Sequence, residues 1–133
     1  MYLVDTNAVS ELSRKAPNAG VVAWFAQQSS LSLSAVTLEE LTYGLERIPV
    51  DQSFRLRLWL EKLLAIPPEI LPVDDKVAQL AGRLRASREK AGHPVAQADM
   101  LIAATALTFG RILVTRNTKD FCECGVTVFN PFA

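Results

Sequence analysis

From Val95 to Asp120 the chain reads VAQADMLIAATALTFGRILVTRNTKD, and this stretch decides the fold. Ala98, Ile102, Ala103 and Ala106 recur at helical offsets, so a helix is expected from Val95 to Phe109. Gly110 ends it. Ile112, Leu113 and Val114 then form a short, wholly apolar run, the mark of a strand buried on both faces. Behind that strand the chain turns polar, with Arg116, Asn117 and Asp120. A helix feeding a buried strand is one unit of an α/β fold. In such folds ligands bind beyond the carboxyl ends of the strands, so Arg116, Asn117 and Asp120 stand at the functional edge.

The rest of the chain repeats this alternation. Tyr2 to Val4 is a short apolar run ending at Asp5, and Thr6 or Asn7 can cap a helix to about Ser13. Pro17-Asn18 breaks the chain before a helix carrying Val21, Val22, Trp24 and Phe25. Leu31 to Ser34 alternates like a strand, and a helix runs from Thr37 to Glu46. Asp51 to Leu64 has leucines at helical offsets and ends at Pro67-Pro68. Ile70-Leu71 reads as a strand stub. Asp74 or Asp75 caps a helix from about Lys76 to Ala91, stopped by Gly92, and Val126 to Phe129 is a last strand. The expected architecture is a parallel sheet with helices on both faces, in one domain spanning residues 1–133.

Composition narrows the class. Half of the 133 residues are apolar, enough to fill one core. No run has transmembrane length, since Met100 to Val114 is short and interrupted by Arg111. An acid at position 5 falls where a secretory signal needs basic and apolar residues, so a cytoplasmic protein is expected. Cys122 and Cys124 are read as two reduced thiols near a strand, because alternate strand residues point apart. The formal net charge is zero, which argues against bulk electrostatic attachment to nucleic acid. Charge is segregated, however. Arg83, Arg85, Arg88, Lys90, Arg111, Arg116 and Lys119 make up half of the 14 basic residues. They form either an ordinary solvated surface or a phosphate-contacting face.

Acids fall at the positions where chemistry is expected. They lie in Val4-Asp5-Thr6-Asn7, in Thr37-Leu38-Glu39-Glu40-Leu41-Thr42-Tyr43-Gly44, in Ala98-Asp99-Met100, and in Thr115-Arg116-Asn117-Thr118-Lys119-Asp120. Carboxylates around one cavity repel unless something positive sits between them. Oxygen ligands favour Mg²⁺ or Mn²⁺, and such ions serve phosphodiester hydrolysis. Each segment also has a structural role open to it. Asp5 can cap the first helix. Glu40 stands three residues after Thr37, the spacing of a capping box. Asn117 and Asp120 can be turn formers, and Thr6 and Thr115 plain capping or strand residues. Asp99 is harder to place structurally, because its neighbours form an apolar helical face and burial of an unpaired acid is costly.

Together these four segments, in this order and spacing, resemble the PIN-domain family, and most closely its VapC and FitB type of toxin nuclease. The resemblance covers essentially the whole chain, including the closing Val-Phe-Asn-Pro-Phe. It implies a PIN-like three-layer sandwich, with a short-stranded parallel central sheet and helices on both faces. It also implies a metal-dependent endoribonuclease that forms the toxin half of a toxin–antitoxin pair. Asp5, Glu40 and Asp99 fall on the family's first three acidic positions. In the last motif, Thr-x-Asn/Asp-x-x-Asp-Phe, Asn117 departs from those members with Asp at its position, and Asp120 follows it. Either Asn117 offers a neutral carbonyl or Asp120 supplies the charge. Direct ligation by Asp5 and Asp99 is expected, with Glu40 holding a water or a second ion. An RNA substrate, a small antitoxin protein that blocks the site, and a homodimer are implied as partners, with Trp24, Phe25, Trp59 and Leu60 available for contacts.

A metal-free ribonuclease commonly uses histidine as acid and base. The one histidine, His93, precedes Pro94 in a turn and reads as a loop residue. The expected reaction is therefore metal-assisted attack of water on phosphorus, leaving a 5′-phosphate and a 3′-hydroxyl. A phosphatase with Asp5 as nucleophile would want another acid at position 7, which is Asn. A dinucleotide enzyme would want a glycine-rich turn where Asp-Thr-Asn-Ala stands. A PIN fold that binds RNA or a partner without cutting is the other reading that Asn117 keeps open.

Overall fold

A computed structural model describes residues 1–65 and 67–133. Strands β1 (Tyr2–Val4), β4 (Ile112–Val114) and β5 (Val128–Phe129) form one parallel ladder in the order β1-β4-β5. Strands β2 (Ser32–Ser34) and β3 (Glu69–Leu71) form a second parallel ladder. β2 lies beside β1. The expected parallel sheet is therefore present, with its hydrogen bonding split into two ladders.

Period-two alternation sends neighbouring strand residues to opposite faces, and two cores result. Leu3 and Leu113 point to one face, under α5 (Asp75–Lys90), α6 (Gln97–Thr108) and α7 (Thr118–Cys122), where Val77, Met100, Ile102 and Phe121 are buried. Val4 and Val114 point to the other, under α1 (Thr6–Glu11), α3 (Ala35–Glu46) and α4 (Phe54–Ala65), with Val9, Leu33, Leu41 and Leu60. Helices therefore cover both faces, in three layers. Helix α2 (Ala19–Ala26) adds Trp24 and Phe25 to the second core, where Trp24 meets Tyr2 edge-on at 5.4 Å. Trp59 and Leu60 pack there too, so these four residues serve the core more than a free surface.

Three local expectations are revised. Of the caps open to the first helix, Asp5 is the one used, and not Thr6 or Asn7. The polar stretch after β4 folds into α7 instead of a turn. Cys122 ends that helix and Cys124 follows it, so strand alternation is not what separates the two thiols, which are free. The end of α5 behaves as expected. Gly92 adopts φ 81°, its N–H donates to Glu89 O at 3.0 Å, and His93 N–H donates to Arg88 O at 2.9 Å. These two bonds close a Schellman turn.

Candidate active site

Asp5 is positioned by the strand it follows. Its N–H extends the ladder by donating to Val114 O at 2.9 Å. Its Oδ1 accepts from Thr6 N–H at 2.8 Å, capping α1. Its Oδ2 accepts from the Thr115 hydroxyl at 2.8 Å. Asp5 is only 4% exposed. Burial pushes its pKa up to about 6. The two hydrogen bonds oppose that rise, and the nearby charges of Asp99 and Glu40 add to it.

Thr115 is the hub of the β1 and β4 ends. Its Oγ1 also accepts from Asn117 N–H at 3.0 Å and from Asn7 Nδ2 at 3.4 Å. Asn7 Oδ1 in turn accepts from Arg116 N–H at 3.2 Å. The Asn7 side chain thus ties α1 to the segment entering α7.

Glu40 does not close a capping box. Helix α3 begins two residues before Thr37, and Ser34 caps it by accepting from Val36 N–H at 3.0 Å. Thr37 is buried inside the helix. Glu40, one turn on, accepts from the Thr6 hydroxyl at 2.7 Å. Thr6 Oγ1 also lies 3.0 Å from Thr37 Oγ1. A hydroxyl has one proton to give, so Thr37 is the donor in that contact.

Asp99 stands in the first turn of α6, half-buried. Burial raises its pKa first, then the charges of Glu40 and Asp120; no hydrogen bond among the described residues offsets them. Asp120, exposed on α7, shares with Asp99 a cleft of about 450 Å³ whose walls include His93 and Lys119. Asn117 caps α7 through its position alone, because its side chain makes no capping bond. Its backbone joins the Thr115 hub, but its side chain is exposed.

Of the five sequence-chosen residues, Asp5, Glu40, Asp99 and Asp120 are thus electrostatic neighbours. Asn117 is tied in by its backbone only. Lys119, one of seven basic residues read as solvated surface or phosphate-contacting face, lines the cleft. Thr37 was read only as a cap. Asn7 and His93 were not singled out for the site, though the Gly92 stop that turns the chain into the cleft was a readable signal for His93.

None of the four carboxylates has an ion-pair partner among the described residues. The donors are all oxygen, and two of the acids are held above their ordinary pKa. A divalent cation would relieve both burial and repulsion. No three acid, histidine or cysteine side chains among the described residues cage an ion unaided. Mg²⁺ is commonly held by one or two carboxylates with water completing its shell, a demand this donor set fits.

Comparison with known proteins places the chain by family and fold. The PIN domain model matches residues 2–125. The chain is 36% identical to a VapC ribonuclease of Sinorhizobium fredii, over 99% of this chain and 98% of that one. It is 36% identical to the toxin FitB of Neisseria gonorrhoeae, over 99% of each. The crystal structure of FitAcB from Neisseria gonorrhoeae superposes with a TM-score of 0.86 at 36% identity, covering 98% of both chains.

Proposed function

Since this chain belongs to the PIN domain family, we propose that it is a divalent-metal-dependent endoribonuclease acting as the toxin of a toxin–antitoxin pair. The observation that carries the reading is Asp99, an acid half-buried beside Glu40 and Asp120 with no hydrogen bond or ion pair among the described residues. A structural acid would be paired or hydrogen-bonded. Likeness to proteins named as a ribonuclease and a toxin supplies the substrate class and the biological role.

In this reading the whole chain is one PIN domain. Asp5 and Asp99 hold Mg²⁺ or Mn²⁺. When bound, the ion supplies positive charge to a phosphate oxygen and acidity to a water. Thr6 and Thr115 fix the lone pairs that the acids present, because each holds one carboxylate oxygen in place. Glu40, with Oε1 engaged by Thr6, keeps Oε2 free to orient the attacking water and take its proton. Asp120 and Asn117 complete the polar rim. The water oxygen bonds to phosphorus as the P–O3′ bond breaks. The 3′-oxygen leaves with the electron pair and takes a proton from solvent, giving a 5′-phosphate on one fragment and a 3′-hydroxyl on the other.

No helix among the described residues is long and apolar enough to cross a membrane, and a cytoplasmic site of action fits an RNA substrate. The partners are a small antitoxin protein that blocks the acid cluster and a second copy of the chain. The test is expression of the wild type and of Asp99→Asn in bacteria, with cellular RNA 5′ ends mapped. New 5′-phosphate ends and growth arrest are expected for the wild type alone, relieved by the protein encoded beside it. Harmless expression of folded wild type, with no new ends, would contradict the proposal.

A further inference from the structure

An RNA strand approaching four carboxylates is repelled by them, so something in the cleft must attract its phosphates. On the Glu40 side, Arg47 lines a neighbouring pocket with Thr6 and Glu40. On the side of Asp99 and Asp120 the basic residues of the C-terminal half are the source, and the fold sorts them. Arg85 pairs with Glu89, Arg88 with Glu123 and Arg111 with Glu69. Arg111 also precedes β4, at the end of the strand away from the site. Arg116 lies over the Phe132 ring at 5.1 Å. Arg83 and Lys90 lie on α5 and do not line the cleft. Arg88 and Lys119 both line it. Arg88 is committed to Glu123, whereas Lys119, beside Asp99 and Asp120, has no ion-pair partner among the described residues.

His93 lines the same cleft from the α5–α6 turn. The Schellman turn at Gly92 fixes its backbone. Its ring is exposed, and among the described residues it takes part in no side-chain hydrogen bond or ion pair that would give it a structural duty.

We propose that Lys119 and His93 form the RNA-holding wall of the acidic cleft. Lys119 takes a backbone phosphate next to the one being cut, and the His93 ring stacks on the adjoining base. This rests on the nuclease reading and adds the residues that hold the strand. A compact ammonium suits a phosphate as a point charge, and histidine is among the side chains on which unstacked RNA bases settle. With both in place, the strand would be held across the carboxylates without a net positive charge on the protein.

The test has two readouts on full-length protein. One is the affinity of a short, labelled, mixed-sequence single-stranded RNA in excess EDTA, measured across a salt series. The other is steady-state cleavage of the same RNA in Mg²⁺. Lys119→Ala is expected to weaken binding about tenfold and to reduce the log–log salt slope by about 0.7, the value of one phosphate contact on a single strand. It should raise KM by a similar factor with kcat within about twofold, and Lys119→Arg should restore both. His93→Ala should weaken binding about fivefold without changing the salt slope, and His93→Phe should restore it through stacking. Lys90→Ala, off the cleft, should match the wild type. Cleavage with an unchanged KM, affinity and salt slope in Lys119→Ala would overturn the wall and leave the nuclease reading standing. Lys119-dependent RNA binding without any cleavage in Mg²⁺ would uphold the wall and sink the nuclease reading. No RNA binding by the wild type in EDTA would overturn the wall, and no cleavage in Mg²⁺ besides would overturn both.

Discussion

The hydroxyl of Thr115 donates to Oδ2 of Asp5 across 2.8 Å, joining the carboxyl ends of β4 and β1 from positions 110 residues apart. Thr115 is fully buried and also accepts from Asn117 N–H and from Asn7. Thr115→Val keeps the shape and removes all of this. Stranding a buried polar group costs about 1–3 kcal/mol, so stability should fall by about 2 kcal/mol, read by denaturant unfolding. Thr115→Ser should recover most of the loss. Cleavage should fall with Thr115→Val even where the protein is fully folded, because Asp5 and the entry to α7 lose their common anchor.

Asp99→Asn separates a site acid from a structural one. No hydrogen bond among the described residues favours the Asp99 charge, while burial, Glu40 and Asp120 all oppose it. Removing the charge should raise the metal-free melting temperature at neutral pH. It should also lower cleavage by about a hundredfold or more. A variant less stable than the wild type in EDTA would show that Asp99 serves the fold.

Asp5 predicts the sign of the pH dependence. Its folded pKa lies at about 6, against 3.8 for the free group. Between those values the folded state keeps a proton that the unfolded state has lost, so stability falls as pH rises. The contribution is fully present below pH 3.8, declines through pH 6 and is absent above it. By linkage it amounts to roughly 3 kcal/mol across the window. Melts of metal-free protein should show this decline between about pH 4 and 6, against any background from other acids. Mg²⁺ should offset it above pH 6, because the ion binds the charged form.

Glu40→Gln should leave the fold intact. The carbonyl of Gln can accept from the Thr6 hydroxyl as Glu40 does, and α3 is capped by Ser34 without help from position 40. Unfolding free energy should stay within about 0.5 kcal/mol, as for a substitution that keeps its contacts. Cleavage should drop by roughly a hundredfold if the free oxygen handles the proton of the attacking water. A fully active Glu40→Gln enzyme would return Glu40 to a purely structural role.

What the sequence revealed was what periodicity and punctuation encode. Leu113 and Val114 announced a strand buried on two faces, and they do supply the two cores. Gly92 and Gly110 marked helix ends and adopt positive φ. Asp5 after a strand and Asp99 beside an apolar helix face drew notice by position, whereas the spacing of Glu40 suggested a cap and only the resemblance to the PIN family put it with the other acids. Long-range hydrogen bonds were not legible. Thr37 looked like a cap by its spacing to Glu40, while its partner Thr6 lies 31 residues away. Asn7 gave no sign of its reach to Arg116 across 109 residues. The short helix α7 was missed because five residues carry too little periodicity to register, and Lys119 was one basic residue among many until the ion pairs of the others were known.

The most direct test is cleavage of RNA by the purified protein, freed of any bound inhibitor, in Mg²⁺ and in excess EDTA, with the product ends identified. The acid cluster predicts cutting in Mg²⁺ that leaves 5′-phosphate and 3′-hydroxyl ends, stops in EDTA, returns on adding Mg²⁺ or Mn²⁺, and is lost in Asp99→Asn. Cleavage that continues undiminished in EDTA, or that leaves 2′,3′-cyclic phosphate ends, would contradict it.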